Sequence, residues 1–509
     1  MDAVLTQLAG FATSFATLAT DPVTYLYLFA SVFLGIVFGA LPGLTATLAV
    51  TILTGFFGNK FPVEQSLIAL IGAYVGAIYG GSYPSILLNI PGTAASAATA
   101  MDGYPLTKQG HGDRALGLTT LASFIGTLVG TICLLLFVGL LLIISRSIAS
   151  PEKALLALFG ILICGTLMSE DLVIKGWISG FLGLAMAMVG LDPILSEARF
   201  TFGWSYLLSG FQVVPVLMGA FAIPQIIDGL RTGSITAKPP IVGRIVPELK
   251  LLRDKIVHIV RSAMIGVGIG ALPGVGEDVA GWVSYGVGKN VCEDGERFGK
   301  GSLNGLISAE TANNAAIGGA LIPLLVLGIP GSPPAAALLG ALRINNVTPG
   351  PAIDPAIVTH IVAILVMASI TMALMGLLTA RVFIRILKLP RAVFLPVVLV
   401  LTTIGSFSVG GGINDLFLML GVGFVAWAMI EMKYPIAPLV IGVILGGLFD
   451  ESLRRALLVS NGDLSVFITR PASAILLAAT ILLVLSQTPI VRRRLTQGGP
   501  AAHGEKDNA

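Results

Sequence analysis

Charge is what this chain of 509 residues has least of. Lysine and arginine number 30 and aspartate and glutamate 27, so 11% of residues are charged, against about 25% in a soluble domain. A chain that is 55% apolar cannot cover its surface with so little charge and stay in water, which excludes a soluble enzyme. The net charge of +3 is too small for a nucleic-acid-binding surface. Cysteine is scarce: Cys133 and Cys164 lie in apolar runs and Cys292 in a polar stretch, without a CxxC. Neither a structural disulfide nor a zinc site is expected. His111, His258, His360 and His503 lack metal-binding spacing. Residues 1–21 contain no lysine or arginine and carry Asp2 where a signal peptide needs positive charge. Enzyme signatures are missing too: there is no HExxH, no GxSxG and no P-loop, and the glycines from Gly266 to Gly270 sit in an apolar run without a strand. With no nucleotide site, energy must come from an ion gradient or a partner.

Glycine, by contrast, is abundant, at 62 residues. These glycines lie inside apolar segments rather than in polar low-complexity sequence. Charge-poor apolar runs cover 22–41, 44–58, 65–90, 115–145, 152–169, 172–190, 211–230, 259–272, 278–288, 303–328, 357–384, 392–408, 414–430, 435–449 and 471–488. The composition and these runs predict an all-α polytopic membrane protein of about 10–14 membrane segments. Several runs are too short to span alone. The stretch 31–57 is broken by Leu41-Pro42-Gly43 and 262–289 by Leu272-Pro273-Gly274. Proline removes a donor and glycine loosens the backbone, so each break predicts a re-entrant hairpin or an interrupted span.

Lysine and arginine cluster in short loops, which predicts orientation. Arg231, Lys238, Arg244, Lys250, Arg253, Lys255 and Arg261 form one cluster, Arg381, Arg385, Lys388 and Arg391 a second, and Arg492, Arg493 and Arg494 a third. All three are expected on the cytoplasmic side. Lys108, Arg114, Lys289, Arg297 and Lys300 join them if both broken stretches are hairpins with their ends on one face. The N-terminus is then outside and the C-terminus inside, while Arg454, Arg455 and Arg470 fall outside, against the rule.

An internal repeat organises the chain. GALPGLTA at Gly39 recurs as GALPGVGE at Gly270, 231 residues on; the Pro84 to Pro91 stretch recurs at Pro323 to Pro330, 239 residues on. Two ordered matches point to duplication. The charge assignment opens the first hairpin outward and the second inward, so the expected architecture is two inverted-topology repeats, the symmetry of secondary transporters. The expected division is an interfacial N-terminal segment 1–21, a first repeat 22–230, a basic cytoplasmic linker 231–258, a second repeat 259–490 and a cytoplasmic tail 491–509.

At each break the next half-helix presents free amides and a partial positive charge, a site for a carboxylate. The substrate-binding candidates are therefore Pro42, Gly43, Thr45, Thr47, Pro91, Gly92, Thr93, Pro273, Gly274, Gly276, Pro330, Gly331 and Ser332. Stranded carbonyls with Asn or Asp oxygens suit Na+, which selects Asn89, Asp278, Asn313 and Asn314 as cation-binding candidates. The alternative is that Pro and Gly only kink helices and allow close packing. Intramembrane acids are few: Glu277 and Asp278 beside a hairpin tip, Glu310, read as opening a helix, and Asp415, Asp450 and Glu451 near span ends. The first two are the better functional candidates.

The stretches GALPGLTATLAV from Gly39, Tyr74 to Gly110, and Ala309 to Ser332 resemble the large membrane subunit of the tripartite tricarboxylate transporters, the TctA family. The resemblance runs from about residue 20 to about residue 490. It implies a bacterial inner-membrane subunit that works with a small TctB-like membrane subunit and a TctC-like periplasmic binding protein. It further implies carboxylate import on a cation gradient, Na+ or H+, with no other cofactor, and by analogy an elevator-like motion. Family members often carry small or hydroxylic residues after the second LPGxG, where this chain has Glu277-Asp278. An ion channel or a scaffold subunit is the competing class. It lacks a repeated filter or a ring of like charges, and a scaffold has no need of duplicated breaks.

Overall fold

The structure, a computed structural model, describes residues 2–41, 43–58, 60–145, 148–168, 172–232, 245, 249–387, 391–410 and 412–487. Pro42, Lys238, Arg244, Lys388, the Arg492–Arg494 cluster, most of the linker and the whole tail lie outside these. The first half comprises α1 (Asp2–Thr20), α2 (Pro22–Ala40), α3 (Ala46–Phe57), α4 (Val63–Gly80), α5 (Ser82–Leu88), α6 (Ala97–Lys108), α7 (Gly112–Ser145), α8 (Ser150–Leu167), α9 (Val173–Ala187) and α10 (Val213–Thr232). The second comprises α11 (Leu249–Asp254), α12 (Ile256–Gly270), α13 (Gly276–Val291), α14 (Leu303–Leu327), α15 (Pro333–Ile344), α16 (Pro355–Leu378), α17 (Ala380–Ile386), α18 (Arg391–Gly410), α19 (Ile413–Glu431), α20 (Ile436–Val459), α21 (Val466–Thr469) and α22 (Pro471–Ser486). A two-residue ribbon pairs β1 (Gly190–Leu191) with β2 (Ala198–Arg199). Among the described residues nine helical segments are long and apolar enough to cross a bilayer. The all-α polytopic membrane fold expected from composition is the fold observed.

Sequence punctuates these helices as expected. Asp21, Thr45, Ser302, Ser332 and Asp354 each cap a helix by accepting from an amide in its first turn. Proline opens α2, α15, α16 and α22, where its missing donor costs nothing. Among the helices outside the apolar runs are α6 and α15, the short ones that follow each Ile-Pro-Gly.

Packing in the two halves follows one pattern. The helix before each LPG lies along the helix that follows the hairpin, α2 on α4 and α12 on α14. The contacts match residue for residue: a Cβ on Gly35 would sit 2.3 Å from the Ala73 carbonyl oxygen, and one on Gly266, 2.2 Å from that of Ala312. These pairs are related by the same 231- and 239-residue offsets as the motifs. The halves also exchange partners: α7 packs on α14 and α16 on α4, α3 packs on α15, and α13 packs on α6 and the 3-10 turn Ala94–Ser96.

A second layer consists of α8, α9, α10, α18, α19 and α20, in which α20 packs on α8 and α9, and α10 on α18 and α19. It meets the first layer chiefly through α3, which α10 and α18 hold, and α15, which touches α10 and α20. At one end of the bundle the α6–α7 turn reaches the loop 292–302, with Gln109 Nε2 donating to the Lys300 carbonyl at 2.9 Å. The Asp102 carboxylate fastens the same loop, accepting from the amides of Gly299, Gly301 and Ser302 and from Tyr285 Oη. The arginines expected outside are each paired with an acid: Arg454 with Asp192, Arg455 with Glu451, and Arg470 with the buried Glu152. The N-terminal segment is the helix α1, packed on α16.

Candidate functional site

The two Ile-Pro-Gly breaks are built alike. Asn89 (φ 58°) and Gly328 (φ 71°) end the preceding helices in the left-handed conformation. The Ile90 amide then donates to the Pro84 carbonyl and the Ile329 amide to the Pro323 carbonyl, each at 3.3 Å. Gly92 donates to Gly81 at 3.3 Å and Gly331 to Ala320 at 3.2 Å. Thr93 and Ser332 follow in extended conformation and open the next helical segment. Asn89 thus occupies a position set by backbone geometry, which asparagine tolerates nearly as well as glycine.

The four breaks close into a ring. The first LPG meets the first IPG where the Gly39 carbonyl approaches Gly92 so closely that a Cβ there would stand 2.1 Å away. The Ala94–Ser96 turn after that IPG lies on α13, the helix that opens the second LPG. The second LPG is bonded to the second IPG, Gly274 donating to the Pro330 carbonyl at 3.2 Å. A Cβ on Gly276 would lie 2.3 Å from the Ser332 Cβ. The helix after that IPG, α15, packs on α3, which opens the first LPG. The starts of α3, α13 and the 94–96 turn thus lie beside α15, and the first three leave first-turn amides free, whereas α15 opens with Pro333-Pro334 and bonds its Ala335 amide to Ser332 Oγ.

Side chains fill this ring unevenly. Thr45 Oγ1 accepts from the Leu48 amide at 3.1 Å, and Thr47 is buried. Ser332 Oγ accepts from the Ala335 amide at 3.3 Å and lies 2.8 Å from Tyr74 Oη, which also donates to the buried Glu277 carboxylate. Asn313 Nδ2 donates to the Ala95 carbonyl at 3.0 Å and Asn314 Nδ2 to Asn313 Oδ1 at 2.7 Å. Asn313 and Asn314 are fully buried, and Asn314 Oδ1 has no partner among the described residues. Asp278 is partly exposed. Gly43, Asn89 and Pro91 are exposed, whereas Pro273, Gly274, Gly276, Pro330, Gly331 and Ser332 are buried. Gly43 borders a cavity of about 220 Å³ shared with Gln225, Asp228 and Trp427 of the second layer. In the first repeat Gly92 and Thr93 are buried beside the exposed Asn89 and Pro91, so its breaks are partly exposed while the second's are covered.

Two groups escaped the sequence reading. Glu310 does not open a helix: α14 begins at Leu303, and Glu310 lies fully buried in its interior. Its carboxylate accepts from Ser82 Oγ at 2.7 Å, Ser123 Oγ at 2.9 Å and Thr99 Oγ1. A run of small residues around an acid was the available signal, but the three hydroxyls come from α5, α6 and α7. Tyr74, 203 residues before Glu277, had no local signal at all.

Residues 25–441 match the family model described as "Tripartite tricarboxylate transporter TctA family". The chain is 33% identical over 503 residues, 97% of its length, to the "Uncharacterized 52.8 kDa protein in TAR-I ttuC' 3'region" of Agrobacterium vitis, of which 98% is covered. It is 33% identical over 233 residues, 45% of its length, to the "Uncharacterized protein in TAR-II ttuC' 3'region" of the same organism, 96% of which is covered. The match over residues 25–441 and the full-length relative place it: this chain belongs to the tripartite tricarboxylate transporter TctA family.

Proposed function

We propose that the chain is the large membrane subunit of a binding-protein-dependent secondary transporter that imports tri- or dicarboxylates, or related organic anions, by cation symport. The observation that carries the proposal is the ring of four helix breaks, two from each repeat, whose backbones meet in an otherwise apolar body. Converging half-helix N-termini favour a carboxylate over any neutral solute. Thr45, Thr93 and Ser332 supply hydroxyls, and Asp278, Asn313 and Asn314 supply oxygens for Na+, or Asp278 a proton site if H+ is the coupling ion.

The repeats are inverted in this reading: the first hairpin returns to the periplasmic face and the second to the cytoplasmic face beside the α6–α7 turn and loop 292–302. Partly exposed breaks in one repeat and covered breaks in the other suit a conformation with access from one side. An elevator-like step moves the layer carrying both hairpins against the α8–α10 and α18–α20 layer. A small membrane subunit and a periplasmic binding protein complete the system in the inner membrane, with the N-terminus periplasmic and the C-terminus cytoplasmic.

Uptake of radiolabelled di- and tricarboxylates into proteoliposomes, with both partner subunits present and the Na+ and H+ gradients set separately, tests this. Accumulation driven by one gradient is expected. Uptake indifferent to both would remove symport, and ion flux without solute uptake would favour a channel.

A further inference from the structure

A second polar site lies apart from the ring. A cavity of about 380 Å³ opens between the β1 ribbon, the 205–210 turn, α20 and the end of α15. Its charged lining is Arg199, Arg343, Asp450 and Glu451. Three of these are already matched: Arg199 Nη1 pairs with Asp450 at 2.9 Å, and Glu451 with Arg455 at 2.6 Å. Asp192, beside Arg199, is matched by Arg454. Arg343 remains, an exposed residue of the cavity lining with no ion pair or hydrogen bond among the described residues. Arg199 Nε is buried and lacks an acceptor among the described residues. The cavity thus has one guanidinium, that of Arg343, without a carboxylate partner, the complement of a planar carboxylate.

The position is as informative as the charge. Arg343 lies in the last turn of α15 and Ser332 caps its first, so one helix of about 16 Å joins them at 1.5 Å per residue. Lys108 lies in the last turn of α6, the corresponding half-helix of the first repeat. Each half-helix that begins at an Ile-Pro-Gly therefore ends in a cation. A basic residue also complements the C-terminal end of a helix dipole, but that role needs neither a polar cavity nor unpaired donors on a second arginine.

We propose that Arg343, with Arg199, forms a carboxylate-binding vestibule at the end of α15 opposite the break at Ser332, where the anion is held before the transport step. As a step in transport this rests on the transporter reading; as an anion site it does not. The anion forms a charge-assisted bond to Arg343, which moves with α15, while Arg199 is tied to α20 of the second layer through Asp450. The vestibule therefore straddles the two layers and comes apart when they slide.

The test uses thiol labelling, which needs no transport. Ser209, exposed on the cavity wall, is changed to Cys in full-length protein carrying Cys292→Ser; Cys133 and Cys164 are buried. Rates are measured with an anionic and a cationic methanethiosulfonate. The anionic reagent should be favoured, and Arg343→Gln should lower the anionic-to-cationic rate ratio about tenfold, the low end of focusing by a charged cleft. Arg343→Lys should retain most of it. Citrate or succinate at constant ionic strength should slow labelling in the wild-type background and not in Arg343→Gln. An unchanged ratio in Arg343→Gln, or citrate and succinate both without effect in the wild-type background, overturns the vestibule. Either result leaves proteoliposome uptake free to succeed, so the two readings fail separately.

Discussion

Replacing Gly92 or Gly331 by alanine should separate the two breaks within one repeat. The added Cβ of Gly92→Ala stands 2.1 Å from the Gly39 carbonyl oxygen and 2.8 Å from the Gly81 Cα. That of Gly331→Ala stands 2.2 Å from the Gly270 carbonyl oxygen and 2.6 Å from the Ala320 Cα. Ordinary contact begins near 3.4 Å, so LPG must move from IPG by about 1 Å. Nothing soft absorbs this, because the opposing atoms are backbone. The cost belongs at the upper end of overpacking, about 3 kcal/mol. A misplacement of about 1 Å also costs on the order of 10²-fold where binding groups must converge. Gly268→Ala is the control: it lies on α12 close to Gly270 with nothing within 4 Å, and alanine there should gain about 0.5–1 kcal/mol. Thermal unfolding of the purified variants and carboxylate uptake in proteoliposomes measure both effects. If Gly92→Ala and Gly331→Ala melt and transport like Gly268→Ala, the contact between the breaks has no structural or functional weight.

Other perturbations separate the roles of individual groups. Thr93→Ala and Ser332→Ala should impair uptake with the protein retained in the membrane, the second also losing about 1 kcal/mol with its cap on α15; wild-type uptake in both removes these hydroxyls from the site. Glu310→Ala leaves the hydroxyls of Ser82, Thr99 and Ser123 without their acceptor and should cost about 1–3 kcal/mol, with Glu310→Gln falling between it and wild type on melting. Outside the membrane, the Leu195 amide and then Arg454 hold the Asp192 carboxyl below its ordinary range. Its folded value is depressed, so its contribution to stability is complete above the ordinary Asp value near 3.9 and fades as pH falls further toward the folded value. Asp192→Asn should therefore lower the melting temperature at neutral pH, and the gap to wild type should shrink below about pH 4; a gap independent of pH would remove the ionic account. Arg470→Gln strands the buried Glu152 carboxylate, which keeps Ser473 as a donor. Because Arg470 is 41% exposed, about 2 kcal/mol is expected rather than the 3–5 kcal/mol of a fully buried pair.

The duplication was legible because proline and glycine act locally. Pro42-Gly43 and Pro273-Gly274 mark breaks wherever they occur in an apolar run, and the offsets they define reappear in the contacts of Gly35 with Ala73 and Gly266 with Ala312. Long apolar helices were legible for the same reason. The half-helices α6 and α15 were not: Ala97–Lys108 mixes Thr, Asp, Pro and Lys with its apolar residues, and Pro333–Ile344 is apolar but only 12 residues long. Glu310 was read as a helix-opening acid because its three hydroxyl partners arrive from other helices. Tyr74 and Arg343 share that reason: what distinguishes each is a neighbour, or the lack of one, brought by packing rather than by spacing.

Access to Ser332 tests the central claim most directly. In protein with Cys133, Cys164 and Cys292 replaced by serine, Ser332→Cys places one thiol at the second break, covered in this conformation. Its labelling by a membrane-impermeant reagent is followed from each side of the bilayer, with and without a carboxylate that the wild-type system transports. Slow labelling that the transported carboxylate suppresses, and that an untransported one leaves unchanged, is the expected result. Labelling at the same rate with and without the transported carboxylate would contradict a binding site at the ring of breaks.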